Sequence, residues 1–223
     1  MIRNGLMFRN VFKRINLKNS EGFTLAEVLI TLVIIGVIGA MTIPTLMNNT
    51  NKQEYVSKLK KAYSTLSQAT NKIIAEQGPP ALWITTLDDF YEIYRKHLVN
   101  AKECGAGSGC WSQSKNGGLK KLNGANDDDW DGSKYRNLII ADGVQVMFTP
   151  TWFTPGCTDR CALIHIDVNG ERKPNQQGRD VFTFVLYSDG LRPFDCTNDS
   201  QCDVNGRGLG CACKVLREGA MNY

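Results

Sequence analysis

The chain has 223 residues, and its 26 Lys and Arg outnumber its 22 Asp and Glu, for a formal net charge of +4. Hydrophobic residues make up 42% of the sequence, which is too many for a disordered chain and enough for one sizeable domain or a smaller domain with an appendage. The eight cysteines are too sparse for a knottin-like scaffold but numerous for a cytosolic enzyme.

The excess positive charge is confined to the N-terminus. Residues 1–22 hold five basic residues and one acid, whereas the rest of the chain carries equal numbers of each. Residues 23–47 contain a single charged side chain, Glu27. At about 1.5 Å per residue, a helix of this length crosses a hydrocarbon core of roughly 30 Å. The basic flank predicts a cytoplasmic N-terminus, so the chain beyond Met47 is expected on the other side of the membrane.

Two simpler interpretations compete for this segment. A cleaved secretory signal peptide has a shorter apolar core and an A-x-A-like site, whereas this run continues past Gly39 and Ala40. A plain signal anchor fits the length but gives no reason for Glu27, because a carboxylate within a membrane helix is costly and usually has a partner. Cleavage after Gly22 would create such a partner, the new ammonium group of Phe23.

The run Gly22-Phe23-Thr24-Leu25-Ala26-Glu27 resembles the processing motif of type IV pilins and type II secretion pseudopilins. The resemblance implies that a prepilin peptidase cuts after Gly22 and that Phe23 is then methylated. It also implies that Glu27, the fifth residue of the mature chain, serves filament assembly. Family members often have a proline about 22 residues into the mature helix, the position of Pro44 here. The leader of 22 residues is longer than that of the short-leader pilins, which leaves the subclass open.

This resemblance sets the expected domains, partners and location. We expect a basic leader at 1–22, a transmembrane and assembly helix at 23–47, an amphipathic helix at 48–78 and an exported globular domain at 79–223. The expected partners are other pilin or pseudopilin subunits, the prepilin peptidase and an inner-membrane assembly platform. The expected location is a bacterial inner membrane, crossed once, from which the subunit can be extracted into a periplasmic or surface filament.

The helix is predicted to continue to about Gln77. Apolar residues from Tyr55 to Ile74 recur at steps of three and four, as in an amphipathic helix. Gly78-Pro79-Pro80 should end the helix, and Pro44 should kink it, because proline removes a backbone hydrogen bond. A second, shorter helix is predicted near Asp88–Leu98, followed by a long loop at 101–132.

After residue 132 the hydrophobic period changes to two. Residues 138–148 flank Asp142-Gly143, a strong hairpin signal. Further strands are predicted at Ala162–Val168 and Val181–Tyr187, with an extension at Leu191–Phe194. The intervening run from Asp167 to Asp180 is similar to one found in pseudopilin-like chains. We therefore predict an α+β fold in which a long N-terminal helix, membrane-spanning in its first half, packs on an antiparallel β-meander with disulfide-rich loops.

All the cysteines lie in the part of the chain that is expected outside the cytoplasm. An even number of exported cysteines predicts disulfides, although eight allow 105 pairings. Local bridges are plausible for Cys104 with Cys110 and for Cys157 with Cys161. Cys196 to Cys213 encloses a Gly-rich segment that should not hold a shape by itself. Zinc and free thiols are the alternatives. The disulfide candidates are Cys104, Cys110, Cys157, Cys161, Cys196, Cys202, Cys211 and Cys213.

One acidic loop suggests a structural calcium ion. Asp127, Asp129 and Asp131 are spaced two apart before Gly132, like the first half of a calcium-binding loop. The twelfth position is Leu138 instead of the expected glutamate, so half of the motif is missing. Some major pseudopilins bind calcium in this lobe. The alternative is a solvated acidic loop, and no other cofactor is expected.

The sequence favours a structural subunit over an enzyme. It has no dinucleotide fingerprint and no Gly-x-Ser-x-Gly elbow, and its two histidines are interpreted as a helix-end residue and a sheet residue. Within the pilin class, a surface or DNA-uptake minor pilin is the alternative to a secretion pseudopilin. Nucleic acid is an unlikely ligand, because the chain after the leader is neutral. A membrane-anchored binding domain that never polymerises is the other alternative.

Overall fold

The structure, a computed structural model, describes residues 22–106, 110, 118–127, 134–149, 152–170, 172–197 and 199–223. The predicted leader, apart from Gly22, lies outside the described residues. The chain divides into two compact units, Met1–Leu46 and Met47–Tyr223. Helix α1 (Leu25–Gln77) contributes residues to both units and contains Pro44. The kink predicted at Pro44 stays a prediction.

The described part of the first unit is an unburied apolar helix. Leu25–Pro44 is 20 residues long and has the length and composition to cross a membrane. The hydroxyl groups of Thr31 and Thr42 donate to the carbonyl oxygens of Val28 and Ile38, at 2.9 Å in both cases. These two polar side chains are therefore satisfied within the helix, as an apolar surrounding requires.

The second unit contains a six-stranded antiparallel sheet in which every strand pairs with its neighbours in sequence, as predicted for a meander. Turns at Asp142-Gly143 and Asp189-Gly190 join successive strands, and Gly143 has a φ of +82° that suits a tight hairpin. The strands are β1 (Asn100–Ala106), β2 (Arg136–Ile140), β3 (Gln145–Thr149), β4 (Arg160–Asp167), β5 (Val181–Tyr187) and β6 (Gly190–Pro193). The predicted α+β class is confirmed.

The second part of α1 packs on one face of this sheet. Its buried residues recur at helical spacing and meet alternate residues of the strands, as in Val56, Leu59, Ala62, Leu66, Ala69 and Ile73. Tyr63 stacks on Phe184 with ring centroids 5.3 Å apart. This packing gives the amphipathic stripe of the sequence its partner.

Helix α2 (Leu87–His97) closes the same core. Thr86 and Asp89 form a capping box at its start. The ring of Phe90 meets that of Phe148 edge-on at 5.0 Å. The hydroxyl groups of Tyr94 and Thr70 lie 2.6 Å apart, and both residues are fully buried. A polar contact thus joins α2 to α1 inside the core.

Two elements differ from the sequence prediction. Strand β1 forms where a loop was predicted at 101–132. Its run Asn-Ala-Lys-Glu-Cys-Gly-Ala does not alternate in hydrophobicity, and its pairing with β2 has two irregularities. Helix α3 (Cys211–Glu218) forms in the segment that was expected to lack shape. Neither element has a strong local sequence signal. Both are held by contacts with distant parts of the chain, β1 by its pairing with β2 and α3 by two disulfides.

Four disulfides tie down the loops, and the structure describes no free cysteine. The pairs are Cys104–Cys110, Cys157–Cys161, Cys196–Cys213 and Cys202–Cys211. The last two bridges link α3 to the preceding chain. Disulfide-rich loops are therefore a confirmed feature of the fold.

Candidate processing and assembly site

The start of α1 is a capping box built from Thr24 and Glu27. The Thr24 amide and hydroxyl groups both donate to Glu27 Oε2, at 2.8 and 2.7 Å. In return, the Glu27 amide donates to Thr24 Oγ1 at 3.3 Å. The box satisfies amide groups that a helix start otherwise leaves without partners. Thr24 is therefore the residue that fixes where the Glu27 carboxylate lies.

The Gly22–Phe23 peptide bond lies in front of the helix in non-helical, exposed backbone. The Phe23 side chain is 88% exposed. A Cβ atom added to Gly22 would meet no described atom within 4 Å, so packing among the described residues does not require glycine there. An exposed, non-helical bond after a glycine that local packing does not require is what an endopeptidase substrate presents.

The Glu27 carboxylate lies close to the N-terminus that cleavage after Gly22 would create. Cleavage after Gly22 would leave an ammonium group on Phe23. Thr24 follows Phe23 directly, and its amide group already holds the Glu27 carboxylate at 2.8 Å. Opposite charges at such short range in an apolar surrounding attract strongly. The helix dipole also favours a negative charge at its N-terminus. The arrangement can therefore hold a carboxylate in an apolar segment both before and after cleavage.

This combination of a processing motif, an apolar helix and an antiparallel sheet defines the class of protein. The prokaryotic N-terminal methylation motif matches residues 17–43. The chain is thus a prepilin-type protein of the type IV pilin and pseudopilin class. Its second unit falls largely within a further match, a family of unknown function (DUF6613), which covers residues 45–206, and the chain belongs to that family. Searches of curated proteins and of solved structures found no match.

The predicted calcium residues are only partly described. Asp127 is fully buried, and its carboxylate lies 2.9 Å from an Nη atom of Arg207 and 3.1 Å from Nε. Its charge is therefore already balanced by a guanidinium group. Asp129 and Asp131 lie outside the described residues. The described ranges contain no cluster of three or more His, Cys, Asp or Glu suited to a metal. The calcium site stays a prediction.

The run from Asp167 to Asp180 forms the connection between β4 and β5. The Asp180 carboxylate accepts hydrogen bonds from the backbone amide groups of Asn175 and Gln176, at 2.8 and 2.6 Å. The Asn169 side chain donates to the hydroxyl oxygen of Tyr55 on α1, at 3.0 Å. Burial raises the pKa of Asp180 to about 6, although these amide donors oppose the shift. Burial, and then the charge of Asp180, raise the pKa of Asp167. The run therefore ties the sheet to α1.

The histidines lie where the sequence suggested. His97 ends α2, with its Nδ1 atom 2.7 Å from the Ile93 carbonyl oxygen and its Nε2 atom 2.8 Å from Glu76. His165 is buried in β4 beside Thr183, and burial lowers its pKa well below the usual value. Because the described cysteines are all in disulfides, neither histidine can activate one of them as a nucleophile.

Sequence reasoning missed the role of Thr24. The pattern Thr-x-x-Glu before an apolar run is a recognised helix-start signal and could have revealed it. It also missed an aromatic cleft around Trp152. That cleft has no local signal, since its residues come from separate strands and loops.

Proposed function

We propose that this protein is a structural subunit of a type II secretion pseudopilus or a type IV pilus. The subunit is cut after Gly22, methylated at Phe23 and assembled through its N-terminal helix. Its partners are copies of itself or other pilins, a prepilin peptidase and an inner-membrane assembly platform. The observation that supports this most is the exposed Gly22–Phe23 bond directly in front of a capping box that holds the Glu27 carboxylate.

In this proposal the chain crosses the inner membrane once, with its N-terminus in the cytoplasm. The Glu27 carboxylate neutralises the ammonium group of Phe23 on a neighbouring subunit and so sets the axial register. Fixing a register is the best supported role of a buried ion pair. Pairing between subunits would replace the local hydrogen bonds to Thr24.

The neutral charge of the chain after the leader disfavours a role in DNA uptake, since phosphate binding needs an excess of basic residues. A surface pilin remains an alternative within the class. A membrane-anchored domain that never polymerises is the alternative outside it. N-terminal sequencing of the membrane-extracted protein separates a pilin from a non-polymerising anchored domain. Methylated Phe23 would support a pilin, and an intact Met1 would support an anchored domain.

The function is tested with substitutions of Glu27. Glu27→Val should be cut and methylated normally but should fail to enter sheared filaments, because the carboxylate is gone. Glu27→Gln should show the same failure, although glutamine keeps the hydrogen-bonding pattern of the cap. Glu54→Gln, on the same helix but in the second unit, is the matched control and should assemble. Normal filament entry of Glu27→Gln would contradict the charge-pairing role.

A further inference from the structure

The sheet face turned away from α1 carries a small cleft with an aromatic wall. Its volume is about 200 Å³. Val185 and Phe194 form its floor and belong, with Leu163, to an apolar cluster separate from the main core. Residues on either side of Val185 in β5 face α1, so Val185 faces the other way. The cleft is lined by Trp152, Arg160, Val185, Tyr187, Phe194, Asp195 and Gln201.

Trp152 is held in the cleft wall although nearly half of it is exposed to solvent. Its exposed fraction is 47%, and its ring centroid lies 5.4 Å from that of Phe194. Its φ of +59° is uncommon for a residue other than glycine, and such conformations persist only where the surroundings enforce them. The Cys157–Cys161 disulfide and the bond from the Thr154 amide to the Cys161 carbonyl, at 2.9 Å, fix this segment.

The polar groups around the cleft have unused capacity for hydrogen bonds. The Arg160 guanidinium lies over the Trp152 ring at 5.6 Å, and its side chain has no hydrogen bond or ion pair with any described residue. The Gln201 side chain is exposed and likewise has none within those residues. Asp195 uses its Oδ1 atom for Thr197. A lining of apolar side chains with a few polar ones, as found here, is the usual composition of a small-molecule site.

Other ligand classes fit this cleft less well. Peptides that add a strand pair with a free strand edge, whereas this cleft lies on a face of the sheet, where β4 and β5 each pair on both sides. Single-stranded nucleic acids need a basic groove along the backbone, but the lining of this cleft holds one arginine and one aspartate. The volume is below the roughly 300–1,000 Å³ of sites for drug-sized ligands, so it accepts one ring-sized group.

We propose that this cleft binds one ring of an acidic saccharide. The apolar face of the ring would lie on the exposed part of the Trp152 indole that Phe194 and Arg160 leave uncovered, and its hydroxyl groups would pair with Asp195 and Gln201. The guanidinium of Arg160 would bind the carboxylate of the ring with two parallel hydrogen bonds. The inference does not rest on filament assembly, since it concerns the second unit alone.

The test is saturation-transfer NMR on the full chain in a detergent without a sugar headgroup. Trigalacturonate is the acidic probe and galactotriose its neutral counterpart. Trigalacturonate should bind about tenfold more tightly, the ratio that 1.4 kcal/mol of additional ion pairing gives. Trp152→Ala should weaken binding of both sugars about tenfold or more, and Trp152→Phe should restore most of it. Arg160→Gln should bring trigalacturonate to the affinity of galactotriose and leave galactotriose unchanged.

Two variants outside the cleft serve as controls. Leu82→Ala removes an exposed apolar side chain and Arg217→Gln an exposed guanidinium, and neither should alter binding. Thermal melting of each cleft variant shows whether the second unit is intact. Absence of binding by both sugars to the wild type would overturn the proposal, as would wild-type affinity in a folded Trp152→Ala.

Discussion

Replacing Leu66 by alanine should strongly destabilise the second unit. Leu66 lies in the part of α1 that packs on the sheet, and its side chain is fully buried. Truncating a buried leucine costs the transfer free energy of the lost carbons plus the cost of the cavity, together about 2.7–5 kcal/mol in well-packed cores. The backbone hydrogen bonds of the helix are unaffected, so this cost measures the packing alone.

The matched control is Leu82→Ala, because the Leu82 side chain is 70% exposed. That change should alter the unfolding free energy by no more than about 0.5 kcal/mol. For a unit of this size, 1 kcal/mol shifts the melting temperature by about 2–4 °C. Leu66→Ala should therefore lower it by roughly 5–20 °C, measured by circular dichroism on the full chain with its disulfides intact.

Equal melting temperatures for the two variants would refute the packing of α1 on the sheet. If the lower melting temperature of Leu66→Ala matched that of the wild type once the disulfides were reduced, the destabilisation would come from the disulfide-bonded loops and not from the packing of α1. Mass spectrometry under non-reducing conditions establishes that all four bridges are present in each sample.

Two further predictions concern the second unit. Asp180 has a pKa of about 6 in the folded protein, compared with 3.8 for the ordinary side chain. The free energy of unfolding should therefore fall by at most about 3 kcal/mol as the pH rises between those two values, and it should then level off. Asp180→Asn should reduce this slope in pH-dependent urea unfolding, without abolishing it because Asp167 acts in the same direction, and an unchanged slope would contradict the assignment. Serine at both Cys202 and Cys211, which are buried, should cost more than the few kcal/mol expected from loop closure alone. The same change at the more exposed pair Cys196–Cys213 should cost less by melting temperature, and the opposite order would contradict this ranking.

The sequence by itself determined the N-terminal apolar segment of this protein. An apolar helix long enough to cross a membrane, the methylation motif and the capping residues are all local features, because a 20-residue apolar run satisfies its own backbone and the Thr24–Glu27 box spans one helical turn. The strands β2 to β5 were also predictable, since they are short apolar runs bounded by turn signals, and Gly143 and Gly190 follow aspartates at tight turns.

Tertiary structure decided what those local patterns could not. Strand β1 is polar and irregular and forms only because β2 offers it an edge, while α3 depends on two disulfides whose pairing no spacing could select. The burial of Asp127 against Arg207 joins residues 80 apart in sequence. The Trp152 cleft likewise gathers side chains from separate strands and loops. Both sites are formed by residues that are far apart in the sequence. A local sequence pattern does not show which of these residues come into contact when the chain folds.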